Sequence, residues 1–177
     1  MAHDFKAAGP HRLRDGTTVT LRRVRAADTD RFVEYFDGLS ERSRYFFRPF
    51  AFDRASAESV TDDLDSPEWY RIVATAERRG REAIVGYAWL QDLGGADIPM
   101  LGIGLVDAWH ERGIGRLLLR ALLDVGRGMG LQAIRLGVND DNPRAIHVYE
   151  SVGFRHDPTK PPQDRGTHQQ LYMICDL

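Results

Sequence analysis

Two stretches of this chain place reactive or ligand-holding residue types at usable spacings. Residues 103–119 read I-G-L-V-D-A-W-H-E-R-G-I-G-R-L-L-L. An apolar strand runs into a short loop through Gly113 and Gly115, and an apolar helix follows. A helix start leaves backbone N–H groups unpaired and carries partial positive charge. Glycines there let a phosphate come close to the backbone, and Arg112 and Arg116 add charge, so the loop is a candidate pyrophosphate site. It is not a Walker loop, because Arg116-Leu117 stands where G-K-[ST] is needed. It is not a dinucleotide fingerprint, because Leu118 takes the third glycine's place and no acidic residue ends the next strand. A plain tight turn through Gly113 and Gly115 remains open. The second stretch, residues 136–154, reads L-G-V-N-D-D-N-P-R-A-I-H-V-Y-E-S-V-G-F. Asn142 suits an N-cap, Pro143 the first helical position and Gly153 the helix end. Tyr149 lies two turns along that helix.

The elements that must hold these stretches follow from periodicity and turn residues. Thr17–Arg22 alternates and is β-branched, which predicts a strand after the Asp15-Gly16 turn. Asp28 can cap a helix to about Leu39, with Phe32, Val33, Tyr35 and Phe36 on its apolar side. A short helix after Ser40 carries Tyr45, Phe46 and Phe47 and stops at Pro49. Residues 56–64 form a third, weakly amphipathic helix. Strands are expected over Tyr70–Glu77 and Ala83–Leu90, joined at Arg79-Gly80, and over Ile98–Val106 after Gly94-Gly95. A helix opening at Gly113, a strand over Ala133–Val138, the helix after Asn142 and a strand over Gln169–Asp176 complete the chain. His156–Thr167 reads as an exposed loop. This order gives an α/β (α+β) fold with a mixed sheet: a flexible arm over 1–12 and one domain over 13–177.

Composition narrows the function. The 177 residues carry 24 Lys+Arg against 26 Asp+Glu, a net charge of −2, and are 42% apolar. Wholesale disorder is excluded, and so is nucleic-acid binding by bulk electrostatics. The single cysteine, Cys175, rules out an internal disulfide or a cysteine-cluster metal site and is expected in the core of the last strand. No metal is expected. No signal-peptide stretch and no apolar run of about 18 residues is present, so a soluble cytoplasmic protein without membrane association is expected.

Leu105–Leu118 resembles the acyl-CoA-binding motif of the GNAT N-acetyltransferases, V-x-P-x-x-[QR]-G-x-G-x-G/A followed by an apolar helix. Leu105 falls on the Val, Asp107 on the Pro, His110 on the Gln/Arg and Glu111 on the first glycine. Gly113 and Gly115 fall on the other two. Asn142, Ala145, Tyr149, Gly153 and Phe154 match the same family's N-x-x-A-x-x-x-Y-x-x-x-G-F at full spacing. The resemblance covers about Thr17 to Leu177 and implies the family's mostly antiparallel sheet flanked by helices. It implies acetyl-CoA as acyl donor, with Ile103, Gly104 and Leu105 pairing the pantetheine. The loop His110, Glu111, Arg112, Gly113, Ile114 and Gly115 would hold the pyrophosphate, and Asn142 would both cap and touch the cofactor. Glu111 is expected to point away from the phosphates. Tyr149 would protonate the leaving thiolate as general acid. The acids many relatives use as base align with Met100 and Gly137. Asp97, three residues before Met100, is therefore the candidate base, a turn role being equally open; His168 and Asp92 are further candidates.

The N-terminal part, R-D-G-T-T-V-T-L-R-R-V-R followed by L-S-E-R-S-R-Y-F-F, resembles the acetyltransferase region of bacterial protein-lysine acetyltransferases. The acceptor implied is a primary amine, on a small molecule or a protein lysine, and a homodimer is left open. Residues 42–52 and 156–168 would flank the acceptor, with Tyr45, Phe46, Phe47 and Trp89 as pocket candidates or core. Two readings compete with N-acyl transfer: a non-catalytic acyl-CoA-binding module, suggested by Met100, and a nucleotide-binding domain using the 110–115 loop.

Overall fold

Alternation of large and small residues on two central strands decides how this fold is layered. The computed structural model describes residues 9–177. Its strands are β1 (His11–Arg12), β2 (Thr18–Arg23), β3 (Trp69–Arg78), β4 (Arg81–Gln91), β5 (Met100–Leu105), β6 (Ala133–Asn139), β7 (Arg155–His156), β8 (Gln163–Asp164) and β9 (Gln169–Asp176). They form one sheet in the order β1-β2-β3-β4-β5-β6-β9-β7, with β8 also on β9. All neighbours are antiparallel except β5 and β6. The helices are α1 (Thr29–Asp37), α2 (Glu41–Phe46), α3 (Arg54–Asp62), α4 (Ile114–Met129) and α5 (Pro143–Glu150).

Neighbouring residues on β4 face opposite layers. Tyr87 meets Phe32 of α1 edge to face, ring centroids 5.0 Å apart. A Cβ on the adjacent Gly86 would lie 2.9 Å from Leu118 of α4. So α1 and α4 cover opposite faces. On the α1 face, glycines of β5 sit opposite the aromatics of β4: Gly104 pairs Tyr87 and Gly102 pairs Trp89. A Cβ at Gly102 would run into the Trp89 ring, and one at Gly104 would meet Phe47 at 2.9 Å. The missing side chains let the aromatic layer lie directly on β5.

The strand and helix order agrees with the sequence, and the differences are local. The strand read as Ile98–Val106 begins at Met100, after Pro99, which has no N–H to give a ladder. Asp28 does not cap α1 through its side chain. The chain makes a one-turn 3-10 helix over Ala26–Asp28 first. The buried Asp28 carboxylate instead accepts Arg22 Nη1 and Nη2 at 2.7 and 2.8 Å, and the Arg25 N–H at 2.9 Å. The third helix starts at Arg54, capped by Asp53, which accepts the Ser56 N–H at 2.8 Å. His11 and Arg12, read as arm, pair with Val19 and Thr18; the arm reading over residues 1–8 lies outside the described residues. The segment read as a 156–167 loop is mostly exposed, but His156 and Gln163–Asp164 pair with β9, and Asp157 is buried and bonded to Arg135 and Thr159. Cys175 is buried as expected. Among the described residues no helix is long and apolar enough to cross a membrane.

Candidate functional site

The parallel pair β5 and β6 is short. It matches Met100 to Arg135 and Leu101 to Leu136, and nothing beyond. β5 runs on to Leu105 and β6 to Asn139, so the two strands part, and their facing backbone groups past Leu101 and Leu136 have no ladder partner. Parallel strands in the middle of a sheet normally pair along their length. An opening there is a slot that an extended, amide-bearing ligand can fill.

The slot leads to the start of α4. Gly113 is the N-cap of that helix at φ 87°, a left-handed conformation that glycine adopts without strain. A Cβ there would meet nothing within 4 Å, so the space over the loop is open. Glu111, also in the loop, is left-handed at φ 62°. It bears a side chain where the resembled motif has glycine, and holds that conformation against an intrinsic preference. The open space is a cavity of about 200 Å3. Ile103, Gly104, Leu105, His110, Glu111, Gly113, Ile114, Gly115, Asn142 and Tyr149 all line it. Two expected residues are elsewhere. Arg112 pairs with Asp15 at 2.8 Å and lies over the Trp109 ring, and Asp97 is exposed in the β4–β5 loop; neither lines the cavity.

Polar groups around the cavity are specifically set. Asn142 caps α5, its Oδ1 accepting the Ala145 N–H at 3.3 Å. The His110 ring nitrogen Nε2 lies 3.1 Å from the Leu105 carbonyl. A carbonyl only accepts, so Nε2 carries the hydrogen and that donor is spent on β5. Burial holds the His110 imidazole below its usual pKa, and the nearby Arg144 charge adds to this. Burial also pushes the Tyr149 phenol up to about 12; its ring packs against Phe154, centroids 6.1 Å apart. Arg116 and Arg144 line the cavity as cations.

The sequence reading named Phe46 and Phe47 as candidates for one wall but missed Leu39 and Ser43 beside them. Ser43, Phe46 and Phe47 of the α2 segment line the cavity with Leu39, and Asp107 holds that segment down. Its carboxylate accepts the Ser40 N–H at 3.0 Å, the Ser40 hydroxyl at 2.7 Å and the Ser43 hydroxyl at 3.0 Å. Burial would raise this carboxyl, but the serine hydrogen bonds outweigh it and keep its pKa below the ordinary value. The signal was Asp107 itself, an acid standing at the motif's proline position. Among the four aromatics in question, Phe46 and Phe47 line the cavity, whereas Tyr45 and Trp89 do not.

Residues 33–154 match the Acetyltransferase (GNAT) family. The chain is 37% identical over 110 residues to N-alpha-acetyltransferase RimI of Mycobacterium tuberculosis, covering 60% of each chain. It is 32% identical over 167 residues to an uncharacterized Mycobacterium leprae protein, covering 90% of this chain and 41% of that one. It thus spans 60% and 41% of these relatives' lengths. Its fold is that of the GNAT domain of S. lividans PAT, with TM-score 0.75, 20% identity and 96% of both chains covered. It is also that of a Vibrio cholerae spermidine N-acetyltransferase solved with CoA and spermine, with TM-score 0.68, 19% identity and coverage of 89% and 95%.

Proposed function

The chain belongs to the GNAT acetyltransferase family, and from that premise we propose that it moves an acetyl group from acetyl-CoA to a primary amine by direct attack in a ternary complex. The observation that carries this reading is the parting of β5 from β6 after Leu101 and Leu136, which opens into the cavity at the α4 start. The residues present fit the donor. The free edge of β5 at Ile103–Leu105 offers backbone groups to the amides of a pantetheine arm. The loop from Glu111 to Gly115 at the start of α4 would take the pyrophosphate, with Arg116 and Arg144 supplying countercharge; the His110 N–H is already given to the Asp107 carbonyl. Asn142 fixes the start of α5, so that Tyr149 faces the same cavity.

In the reaction the amine lone pair attacks the thioester carbonyl carbon, a C–N bond forms and the C–S bond breaks. The departing thiolate takes a proton. A thiol titrates near 8.5, and a Tyr149 phenol at about 12 still holds its proton at neutral pH, so it is available as the donor. The acceptor is an amine, on a small molecule or on a protein lysine or N-terminus, and a cytoplasmic place accords with a metabolic thioester as co-substrate. The test is twofold. Acetyl-CoA should raise the melting temperature by ligand linkage. Free thiol should then appear with one of a panel holding a peptide with a free α-amine, a lysine peptide and spermidine. A shift without thiol release from any amine would favour a non-catalytic acyl-CoA-binding module; no shift at millimolar CoA would overturn the site.

A further inference from the structure

The imidazole that lines the cavity, His110, is a poor base for the acceptor: it stands at the start of the donor loop, and burial holds its pKa below the ordinary value. A primary ammonium such as that of lysine titrates near 10.4, so its proton must go somewhere before attack. No acid stands at Met100 or Gly137, and the space beside Gly137 is filled by the Gln170 amide, whose Nε2 would lie 2.5 Å from a Cβ there. That amide is itself held by Arg165 at 2.6 Å. Glu111 is the carboxylate among the cavity-lining residues, and it sits in the loop facing the phosphates.

Three segments distant in sequence converge at the rim instead. The Tyr45 hydroxyl of α2 lies 2.9 Å from His168 Nδ1 and 3.2 Å from Asp141 Oδ2. The Tyr45 and His168 rings meet edge to face, centroids 5.4 Å apart. Asp141 is adjacent to Asn142, and Tyr45 to Phe46, both of which line the cavity. α2 packs over β5 through Phe47, whereas Asp141 and His168 sit on turns at the ends of β6 and β9. Tyr45 therefore bridges the two lips of the opening between β5 and β6.

The hydrogen count in this bridge fixes the imidazole. A phenol has one proton to give. The Asp141 carboxylate can only accept, so Tyr45 donates to it and must accept from His168. That places the ring hydrogen on Nδ1, with Thr167 Oγ1 at 3.1 Å sharing it. Nε2 of the neutral ring keeps its lone pair. A carboxylate that orders a histidine tautomer through an intermediate group leaves the far nitrogen as a base.

We propose that His168, oriented by Tyr45 and Asp141, is the general base for the acceptor amine, an inference that rests on the acyl-transfer reading above. Nε2 takes a proton from the ammonium and becomes imidazolium. The freed amine attacks the thioester carbon. As the C–S bond breaks, Tyr149 protonates the departing thiolate, and the nitrogen's second proton restores the Tyr149 phenol. One proton is released per turnover, from His168 to solvent. The titratable and charged groups around His168 are Tyr45 and Thr167 on Nδ1 with Asp141 behind them. Among the described residues, Arg165, whose backbone N–H bonds the His168 carbonyl at 2.9 Å, and Asp140, whose carboxylate accepts the Gln169 N–H at 3.0 Å, lie on the backbone side.

The experiment compares wild type, His168→Gln, Tyr45→Phe and Asp97→Asn with acetyl-CoA and the amine panel above, from pH 6 to 10. His168→Gln is expected to lose about 10²-fold in kcat/KM for the amine at pH 7. The loss should shrink as pH rises and free amine accumulates, with the CoA-induced melting shift unchanged. Tyr45→Phe should lose less and alter the lower limb of the pH profile, as a positioning residue would. Nitrogen NMR of labelled histidine should show His168 as the Nδ1–H tautomer in wild type and a mixture in Tyr45→Phe. A wild-type profile in His168→Gln, a loss confined to Asp97→Asn, or a dominant Nε2–H tautomer would overturn the proposal. Absence of transfer by wild type to every amine would overturn the acyl-transfer reading and this one together.

Discussion

Burial alone lifts the Tyr149 phenol to about 12, which makes it a proton holder at neutral pH and a donor once a thiolate forms beside it. Tyr149→Phe keeps the ring that packs on Phe154 and deletes the hydroxyl. At saturating acetyl-CoA the single-turnover rate should fall about 10²-fold, while affinity for acetyl-CoA should change little, because the hydroxyl acts mainly as charge develops on sulfur. An unchanged single-turnover rate would make Tyr149 a packing residue. Glu111 offers the opposite test. It holds a left-handed φ of 62° and a negative charge where phosphates would come. Glu111→Gly should remove strain and repulsion together: CoA should bind roughly threefold tighter at low salt, with less gain at high salt, and stability should change by no more than about 1 kcal/mol. Weaker CoA binding in calorimetry would show that Glu111 contributes a contact instead. Tyr149, Asn142 and the glycine loop were legible from sequence because their geometry is local: a cap, a helix two turns long, a left-handed glycine. Glu111's conformation was legible only as a position in a motif. Of the Tyr45–His168–Asp141 bridge, His168 and Tyr45 were legible only as separate candidates for base and pocket; their meeting was not, since Asp141 and His168 are 96 and 123 residues away from Tyr45 and no periodicity links them.

At the level of elements, strand and helix order could be read from alternation, turn glycines and caps, but the feature that makes the site could not. Nothing in M-L-G-I-G-L or A-I-R-L-G-V-N says that two parallel strands stop pairing after two residues; that is a property of the tertiary arrangement and not of either strand. α2 is itself a marginal element of six residues with no buried side chain, too short to be stable alone. It stays in place because Ser40 caps it and Asp107 accepts three hydrogen bonds from its first turn. Asp107→Ala removes that tether. Hydrogen bonds to a charged group are strong, but these are partly solvated, so the expected cost is about 1–2 kcal/mol in urea unfolding. The larger effect should be functional. Ser43, Phe46 and Phe47 would lose their fixed place on the cavity wall, so KM for the amine should rise several-fold while CoA affinity, held by β5 and the α4 start, stays near wild type. Equal losses for amine and CoA would show that Asp107 supports the whole opening and not the α2 wall.

Across the whole molecule, the net charge of −2 conceals a set of buried or half-buried ionic ties that span the sheet. Arg22 links Asp28 to Glu82 on β4, and Arg135 on β6 holds Asp157. The Glu82 carboxyl lies below its usual pKa, first through the Arg22 hydrogen bond. Asp157, which burial would raise, is pulled below its ordinary value by Thr159 and Arg135, and Asp107 by the serines of α2. The unfolded chain protonates these groups near pH 4, before the folded chain does. It then binds more protons than the native state, so stability falls as pH drops through that window and on toward the folded pKa values. His110 acts in the same direction but earlier. Burial and Arg144 hold its pKa below the ordinary value in the fold, while the unfolded imidazole protonates near pH 6.5. The ligand-free protein should therefore lose stability in two stages, a shallow one from pH 7 to 5 and a steeper one below about pH 4. Urea midpoints along the pH series check this. His110→Gln should flatten the first stage and leave the second; Asp157→Asn should lower stability at pH 7 and reduce the second stage only. A midpoint that holds level from pH 7 to 5 in wild type would mean that His110 is as easily protonated in the fold as in the open chain, the Leu105 carbonyl, which accepts from the charged ring as well as from the neutral one, offsetting burial and Arg144.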